Sequence, residues 1–178
     1  MNPGRRAAAL GLALGTAWLG GCASLAPEPA ERLSGRLALR VAATGQQAER
    51  GLNASFDLTG NAQRGELRLS TLLGPQIAAA IWAPGEVRLT SSDGERHFDS
   101  LEALSREVLG EALPLQALPD WLRGRPWPGA AARPGAAAFD QLGWQIDLAR
   151  LAQGFVTATR AATGDAPAVS LRVRMVSP

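Results

Sequence analysis

The sequence predicts an α+β fold: a curved antiparallel sheet forms an incomplete β-barrel, and helices cover one end of it. From Gly35 to Phe98, apolar residues alternate with polar ones at a period of two, which is typical of half-buried strands. After Ser100 the apolar spacing becomes helical, and the period of two returns from Trp144 to Met175. Strands therefore flank a helical insertion, as in folds that place helices over one face or end of an antiparallel sheet.

The first half of the sheet is predicted as a meander of about six short strands joined by tight turns. The turn signals are Gly45-Gln46, Thr59-Gly60-Asn61 and Asp93-Gly94. The strands are predicted at Gly35 to Val41, Ala48 to Leu58, Arg64 to Ser70, Gln76 to Trp82, around Val87 and Leu89, and Arg96 to Phe98.

One predicted hairpin has an apolar tip. Leu72, Leu73 and Gly74 join the third strand to the fourth, and Pro75 follows them. Hairpin tips face water and are usually polar. Two leucines at this position therefore raise the question of what they contact.

The helical insertion has recognisable ends. Ser100 can cap a helix with apolar positions at Leu101, Leu104, Val108 and Leu109, and Gly110 is its predicted stop. A second, shorter helix is predicted between residues 114 and 124, where Pro119 would break or restart it. The next stretch, residues 125 to 138, is rich in Pro, Gly and Ala and is predicted to be a loop.

Three more strands are predicted near the C-terminus. Alternation resumes at Trp144, Ile146 and Leu148 and recurs in the last strand, with a further strand from Phe155 to Arg160. The apolar residues of the last strand are Leu171, Val173 and Met175.

Residues 1–21 have the features of a secretory signal. Arg5 and Arg6 precede an apolar run that ends at Leu19 and is shorter than the roughly 20 residues a bilayer span needs. The single cysteine, Cys22, follows Leu-Gly-Gly and resembles a bacterial lipoprotein box, in which it would be lipidated and become the first mature residue. An ordinary secretory cleavage with an incidental cysteine is the alternative. No aspartate follows Cys22, which by the same resemblance points to the outer membrane.

The predicted domains are a signal peptide at 1–21, a lipid-anchored tether at 22–33 and one globular domain at 34–178. Pro27 and Pro29 keep the tether extended. Loss of Arg5 and Arg6 leaves 16 arginines against 16 acidic residues, with no lysine and no arginine run, so nothing indicates nucleic-acid binding. Most arginines alternate with apolar residues, which favours a solvated strand face over a binding patch. These are Arg36, Arg40, Arg68, Arg88, Arg172 and Arg174.

No catalytic constellation is evident. His97 is the only histidine and is predicted on a strand surface, so it cannot build a histidine-rich metal site. We find no nucleophile elbow, phosphate loop or HExxH motif and expect neither an enzyme nor a cofactor. An open barrel can hold an apolar cavity suited to acyl chains, but the same residues can equally fill the core.

Several segments together resemble the outer-membrane lipoprotein LolB family. They are SGRLALRV, Phe56, LRLSTLLG, PGEVRL followed by DGE, a leucine-rich helix, LPLQALPDWLRGRPWP and LGWQIDL, in order between Ser34 and Leu148. The resemblance implies a helical lid over an apolar cavity, no enzymatic activity and a periplasm-facing outer-membrane protein. Such a protein accepts triacylated lipoproteins from the periplasmic carrier LolA and inserts them into the membrane.

The resemblance also implies roles for particular residues. Leu73 matches the family's protruding membrane-insertion leucine and Gly74 its turn glycine, while Leu72 replaces a proline. Asp57 replaces a tryptophan at an expected cavity-wall position, and a tryptophan near the C-terminus is missing. The expected acyl-binding residues are Leu37, Leu39, Phe56, Leu67, Leu69, Trp144 and Ile146. The expected lid residues are Leu101, Leu104, Val108, Leu118, Trp121 and Leu122.

Two hypotheses follow from the sequence. The first is a monomeric LolB-like acceptor anchored through Cys22, with a LolA-like carrier, lipoprotein acyl chains and the outer membrane as partners. The second is a lipid-anchored structural or envelope-assembly protein with a filled core, whose tip leucines bind a partner protein.

Overall fold

A computed structural model of the chain describes residues 32–45, 47–164 and 166–176. In these residues, eleven strands form one antiparallel sheet, and two short helices interrupt the chain between the sixth and seventh strands. Strands β1 to β6 span Leu33–Val41, Arg50–Gly60, Gly65–Ser70, Gln76–Ala83, Glu86–Ser91 and Gly94–Phe98. Strands β7 to β11 span Ala132–Pro134, Ala138–Gln141, Trp144–Asp147, Phe155–Arg160 and Val169–Met175.

The first and last strands, β1 and β11, lie side by side at the centre of the sheet. The strand order is β6-β5-β4-β3-β2-β1-β11-β10-β9-β8-β7. Strands β1 to β6 therefore run in sequence order from the centre to one edge, and strands β7 to β11 run in sequence order from the other edge back to the centre. The edge strands β6 and β7 do not pair with each other, and the barrel therefore stays incomplete. The predicted α+β class and the predicted meander of the first six strands are confirmed.

Helix α1 spans Leu101–Leu109 and has both of the ends that the sequence predicts. The Ser100 side chain accepts a hydrogen bond from the Ala103 N–H (3.0 Å), which satisfies one of the free donors of the first turn. Gly110 ends the helix in the left-handed region at φ +76°, where a side chain would be strained.

The second predicted helix is divided in two. A single 3₁₀ turn spans Leu115–Ala117, and helix α2 follows it at Leu118–Leu122. Pro119 stands in the first turn of α2, where its missing N–H needs no partner, so the proline restarts the helical segment. Another 3₁₀ turn, Leu151–Gln153, precedes β10.

The prediction of a loop over residues 125 to 138 is wrong in its second half. Strand β7 lies there and pairs with β8, with Arg133 opposite Asp140 and Pro134 opposite Phe139. Because β7 is an edge strand, Pro134 can occupy it without leaving a neighbouring strand short of a donor. The composition of β7 resembles that of a loop, because an edge strand needs few apolar side chains.

The hydrophobic core lies between one face of the sheet and the helical segment. Apolar side chains from almost every strand join those of α1 and α2 in a single buried cluster. The most completely covered large side chains include Leu58, Leu122 and Ile146. Each large apolar side chain buried there contributes about 1.5–3 kcal/mol to folding.

Candidate functional site

The seven expected acyl-binding residues share one face of the sheet, which we call the inner face. Leu39 lies opposite Leu171, Leu171 opposite Ala158, and Ala158 opposite Ile146, so one row crosses four strands. Opposite residues of an antiparallel pair project to the same side, and every second residue along a strand does so too. The structure brings together on this face Leu37, Leu39, Phe56, Leu67, Leu69, Trp144 and Ile146.

The inner face is covered unevenly. Leu39, Phe56, Trp144 and Ile146 are buried, with at most 7% of each residue's surface exposed. Other inner-face leucines on the central strands are only half-buried against the core. We call this set the inner leucine strip, and it consists of Leu37, Leu52, Leu67, Leu69 and Leu171. The helical segment thus leaves apolar surface accessible over the middle of the sheet.

Five of the six lid residues expected from the sequence are buried, and one is exposed. Leu101 and Leu104 of α1, and Leu118, Trp121 and Leu122 of α2, are buried against the sheet. Val108, near the C-terminal end of α1, is 45% exposed. The end of α1 therefore projects an apolar side chain away from the core.

Helix α2 is fastened to the sheet through Gln141 on β8, which is 2% exposed. Its side-chain oxygen accepts hydrogen bonds from Trp121 Nε1 (2.8 Å) and from the Trp127 N–H (2.9 Å). Its side-chain nitrogen donates to the carbonyls of Trp127 and Ala130, both at 2.7 Å. Loss of this side chain would leave several buried polar groups without partners, at about 1–3 kcal/mol for each group.

The Trp121 ring of α2 also packs near Trp144 of β9, with ring centroids 6.0 Å apart and a tilt of 51°. Tilted aromatic pairs at this spacing add stability beyond the area that they bury. Helix α2 is therefore tied to two neighbouring strands, β8 and β9.

Helix α1 is joined to β6 by a solvent-exposed ion pair between Glu107 and Arg96, and to the core through the segment that follows the helix. The Ser105 hydroxyl accepts a hydrogen bond from the Leu113 N–H (2.8 Å) and donates to the Glu102 carbonyl (3.0 Å). Beyond the helix, Glu111 forms an ion pair with Arg160 of β10 at 3.0 Å, and both side chains are less than 20% exposed. The Arg160 guanidinium lies 5.7 Å from the centre of the Trp144 ring. This partly buried ion pair thus joins the α1–α2 connection to the sheet.

A cavity of about 290 Å³ lies between this connection and the sheet. Leu113 and Leu115 border it from the connection, and Trp144 and Arg160 border it from the sheet. Pockets for small ligands usually measure about 300–1,000 Å³. The cavity is therefore at the lower limit for even a single small ligand.

The hairpin tip between β3 and β4 projects into solvent. Leu73 is 96% exposed and Leu72 54% exposed. The turn is closed by hydrogen bonds from the Thr71 N–H to the Pro75 carbonyl (2.8 Å) and from the Gly74 N–H to the Thr71 carbonyl (3.1 Å). Gly74 has φ +120°, a conformation that other residues rarely adopt. The glycine turn therefore holds Leu73 clear of the rest of the chain.

One expectation about the cavity wall is wrong. Asp57 follows the inward-facing Phe56 and so lies on the opposite, outer face of the sheet. There its carboxylate pairs with Arg32 at 2.8 Å. The alternation of β2 explains the placement, because neighbouring residues of a strand point to opposite faces.

Sequence reasoning did not identify Gln141, Ser105 and Arg160 as important. The available signal was that Gln141 and Trp144 flank the two residues Leu142-Gly143, which places both side chains on the same face of a hairpin. A polar side chain on an apolar face requires buried partners. Ser105 and Arg160 carried no comparable signal, because their partners lie on other elements.

Within residues 32–45, 47–164 and 166–176, no group of three potential metal ligands is close enough to hold an ion. No helix in this part of the chain is long and apolar enough to cross a membrane. Cys22, the signal peptide and all of the predicted tether except Arg32 and Leu33 lie outside the described residues.

Comparison with known proteins agrees with this geometry. The family model described as "Outer membrane lipoprotein LolB" matches residues 31–175. A Chromobacterium violaceum protein named outer-membrane lipoprotein LolB is 36% identical over 159 residues, which cover 82% of this chain and 83% of that protein. A protein of the same name from Bordetella petrii is 35% identical over 152 residues, covering 75% of this chain and 74% of the relative.

Proposed function

The chain belongs to the LolB family of outer-membrane lipoproteins, and on this premise we propose that it receives lipoproteins from a LolA-like periplasmic carrier and inserts them into the outer membrane. It binds the acyl chains of its cargo against the inner face of the sheet. It is itself held at the membrane by lipidated Cys22 and faces the periplasm. None of these transfer steps requires the protein to make or break a covalent bond.

The inner leucine strip supports acyl-chain binding. Its five leucines are half-buried and lie on one face. Each methylene that leaves water gains about 0.8 kcal/mol, so an acyl chain of about 14 methylenes gains about 11 kcal/mol. Transfer from a carrier exchanges one apolar surface for another and needs no nucleotide.

The half-buried inner leucine strip is open to an acyl chain, but full enclosure of the chain beneath the helical segment requires the lid to move. A space of about 290 Å³ does not hold the acyl chains of a lipoprotein. Helix α1 is the part that yields, because its ion pair to the sheet, Glu107 with Arg96 of β6, is exposed to solvent, and the Glu111–Arg160 pair lies beyond the end of the helix. Helix α2 stays in place, since Gln141 binds it to β8.

The hairpin tip supports delivery to the membrane. Leu69 is the last inward-facing residue of β3, and Leu72 and Leu73 follow within the same hairpin. An acyl chain lying along the strip therefore reaches the base of an apolar tip. Insertion of Leu73 into the bilayer gives that chain a continuous apolar path out of the protein.

The observation that carries the proposal is the combination, in one LolB-family fold, of a half-buried apolar strip and a leucine that is 96% exposed at the adjoining tip. The test uses the chain without residues 1–22. It retains every described strand and helix and is not held by an anchor. The measurements are saturable binding of a fluorescent fatty acid and transfer of an acylated lipoprotein from a loaded LolA-like carrier.

Neighbouring residues of β3 provide a matched pair of variants. Leu69→Asn places an amide on the inner face, and Ser70→Asn places the same group on the outer face. We expect Leu69→Asn to weaken fatty-acid binding about tenfold, because the leucine's apolar contact is lost, and Ser70→Asn to leave binding unchanged. If the unsubstituted chain binds no fatty acid and takes no lipoprotein from the carrier, the filled-core structural protein is the correct alternative.

A further inference from the structure

Four arginines gather on the outer face of the sheet, opposite the inner leucine strip. They border a shallow groove of about 360 Å³ that crosses the central strands β1, β10 and β11. We call it the arginine groove; its arginines are Arg36, Arg150, Arg172 and Arg174, and Phe155 and Leu72 also line it.

The groove concentrates positive charge on the outer face of the sheet. Arg36 lies directly opposite Arg174 across the β1–β11 pair, and Arg172 is the next outward residue along β11. Like charges directly opposite each other destabilise a sheet. The ion pairs of the described residues do not include any of the four arginines of the groove.

Acidic groups on the same face are engaged elsewhere. Asp57 pairs with Arg32, and the Asp147 carboxylate accepts the Ala149 N–H at 2.8 Å. Arg40 also lies on the outer face of β1, and it forms an ion pair with Glu49. The hydrogen bond from the Arg40 side chain lowers the pKa of the Glu49 carboxyl below its usual value. Among the described residues, the arginines of the groove thus differ from Arg32 and Arg40 in having no carboxylate within ion-pair distance.

An aromatic ring orders part of the groove. The guanidinium groups of Arg150 and Arg174 lie 4.6 Å and 5.6 Å from the centre of the Phe155 ring. Such contacts hold a guanidinium in place and leave its N–H groups free for an acceptor. Two charges are therefore oriented in advance at the same position.

The groove is continuous with the hairpin tip. Leu72 forms part of its border, and the next residue is the fully projecting Leu73. An apolar tip beside a basic surface fits a bilayer interface, where acyl chains lie directly below phosphate groups. An acidic protein surface would match the charge but would leave Leu73 in water.

We propose that the arginine groove binds the phosphate groups of anionic phospholipids while Leu73 enters the bilayer. The inference rests on the proposed membrane insertion of the tip. Arginine suits this role because its planar guanidinium binds two phosphate oxygens at once. The groove fixes the orientation of the domain on the membrane, with the outer face of β1 and β11 toward the headgroups.

The test measures binding of the chain without residues 1–22 to sedimented vesicles. One set contains phosphatidylethanolamine and phosphatidylcholine, and a second also contains phosphatidylglycerol. We expect tighter binding to the second set, with the preference reduced at high salt because these charges are exposed. Arg172→Gln should weaken binding to the anionic vesicles about fivefold, and the Arg172→Gln/Arg174→Gln double variant about 25-fold.

Arg40→Gln is the matched control. It removes the same charge from the same face, but from an arginine that is paired with Glu49 outside the groove. We expect its vesicle binding to stay close to that of the unsubstituted chain. Equal losses in Arg40→Gln and Arg172→Gln, or no preference for phosphatidylglycerol, would overturn the proposal.

Two further outcomes separate this inference from other possibilities. Normal vesicle binding by Arg172→Gln combined with slow transfer from the carrier would mean that the groove docks an acidic protein, and the lipid proposal would be wrong. Leu73→Ala should weaken binding to both vesicle sets, whereas the arginine variants affect only the anionic set. Failure of the unsubstituted chain to accept lipoprotein would refute the proposed function without altering a measured lipid preference.

Discussion

Replacing Leu73 with alanine should weaken membrane engagement and leave the fold intact. Because Leu73 is 96% exposed, the change removes almost no contact within the protein and should alter the free energy of unfolding by less than about 0.5 kcal/mol. In the bilayer the same side chain leaves water. Loss of three carbon atoms at about 0.8 kcal/mol each costs about 2.4 kcal/mol, which corresponds to about sixtyfold weaker binding.

The assay separates acceptance from delivery. The chain without residues 1–22 is first loaded from a carrier and then mixed with vesicles, and lipoprotein is measured in the protein and in the vesicles. Leu73→Ala should accept cargo at the normal rate, because the inner leucine strip is unchanged. Its delivery to vesicles should be slower, and Leu73→Glu should be slower still, because a carboxylate resists entry into the hydrocarbon region.

Val176→Ala is the control for loss of an exposed apolar side chain. Val176 is 62% exposed and lies beside the start of β1, where its N–H donates to the Ser34 carbonyl (2.9 Å). It should bind vesicles and deliver cargo normally. If Leu73→Ala and Leu73→Glu both deliver at the unsubstituted rate, the tip does not enter the membrane and the reasoning from its exposure is wrong.

Three other predictions concern the lid and its supports. Gln141→Leu should lower the free energy of unfolding by about 3 kcal/mol, since Trp121 Nε1 and other buried groups lose their partner, and urea denaturation measures this directly. Glu111→Gln should lower the free energy of unfolding by about 2 kcal/mol, because it leaves the mostly buried charge of Arg160 without its carboxylate. If the pair restrains α1, the same variant should take up fatty acid faster, and an unchanged uptake rate would contradict that restraint. Leu142→Asn should raise the thermal midpoint, with a gain of about 1 kcal/mol, because Leu142 adopts φ +55° in a turn that favours asparagine; a lower midpoint would count against strain at this position.

Features defined by local chemistry were predictable from the sequence. The first six strands follow from alternation and turn residues, and α1 begins and ends where Ser100 and Gly110 indicate. The exposed tip was also predictable, since Gly74-Pro75 favours a turn directly after Leu72 and Leu73. Each of these signals lies within a few residues of the element that it defines.

Features that depend on distant strands were not predictable. The arginines alternate with apolar residues, and that pattern alone favoured a solvated strand face. Only the pairing of β1 with β11, the first and last strands, places Arg36 opposite Arg174. In the same way, β7 has the composition of a loop and becomes a strand because β8 supplies its partners. Non-local pairing therefore created both the arginine groove and the edge of the sheet.

The order of the strands explains why the lid lies where it does. The chain leaves β6 at one edge of the sheet and must reach β7 at the other edge, so residues 99–131 have to cross the open side of the barrel. Any apolar helix in that crossing segment covers the inner face. The far end of the segment is fixed by the buried side chain of Gln141. Among the described residues, the near end is held to the sheet by two ion pairs outside the buried core, Glu107 with Arg96 of β6 and Glu111 with Arg160 of β10. We therefore expect acyl chains to enter by displacing α1 while α2 and the sheet keep their packing, and hydrogen exchange on cargo binding should change first in residues 101–113.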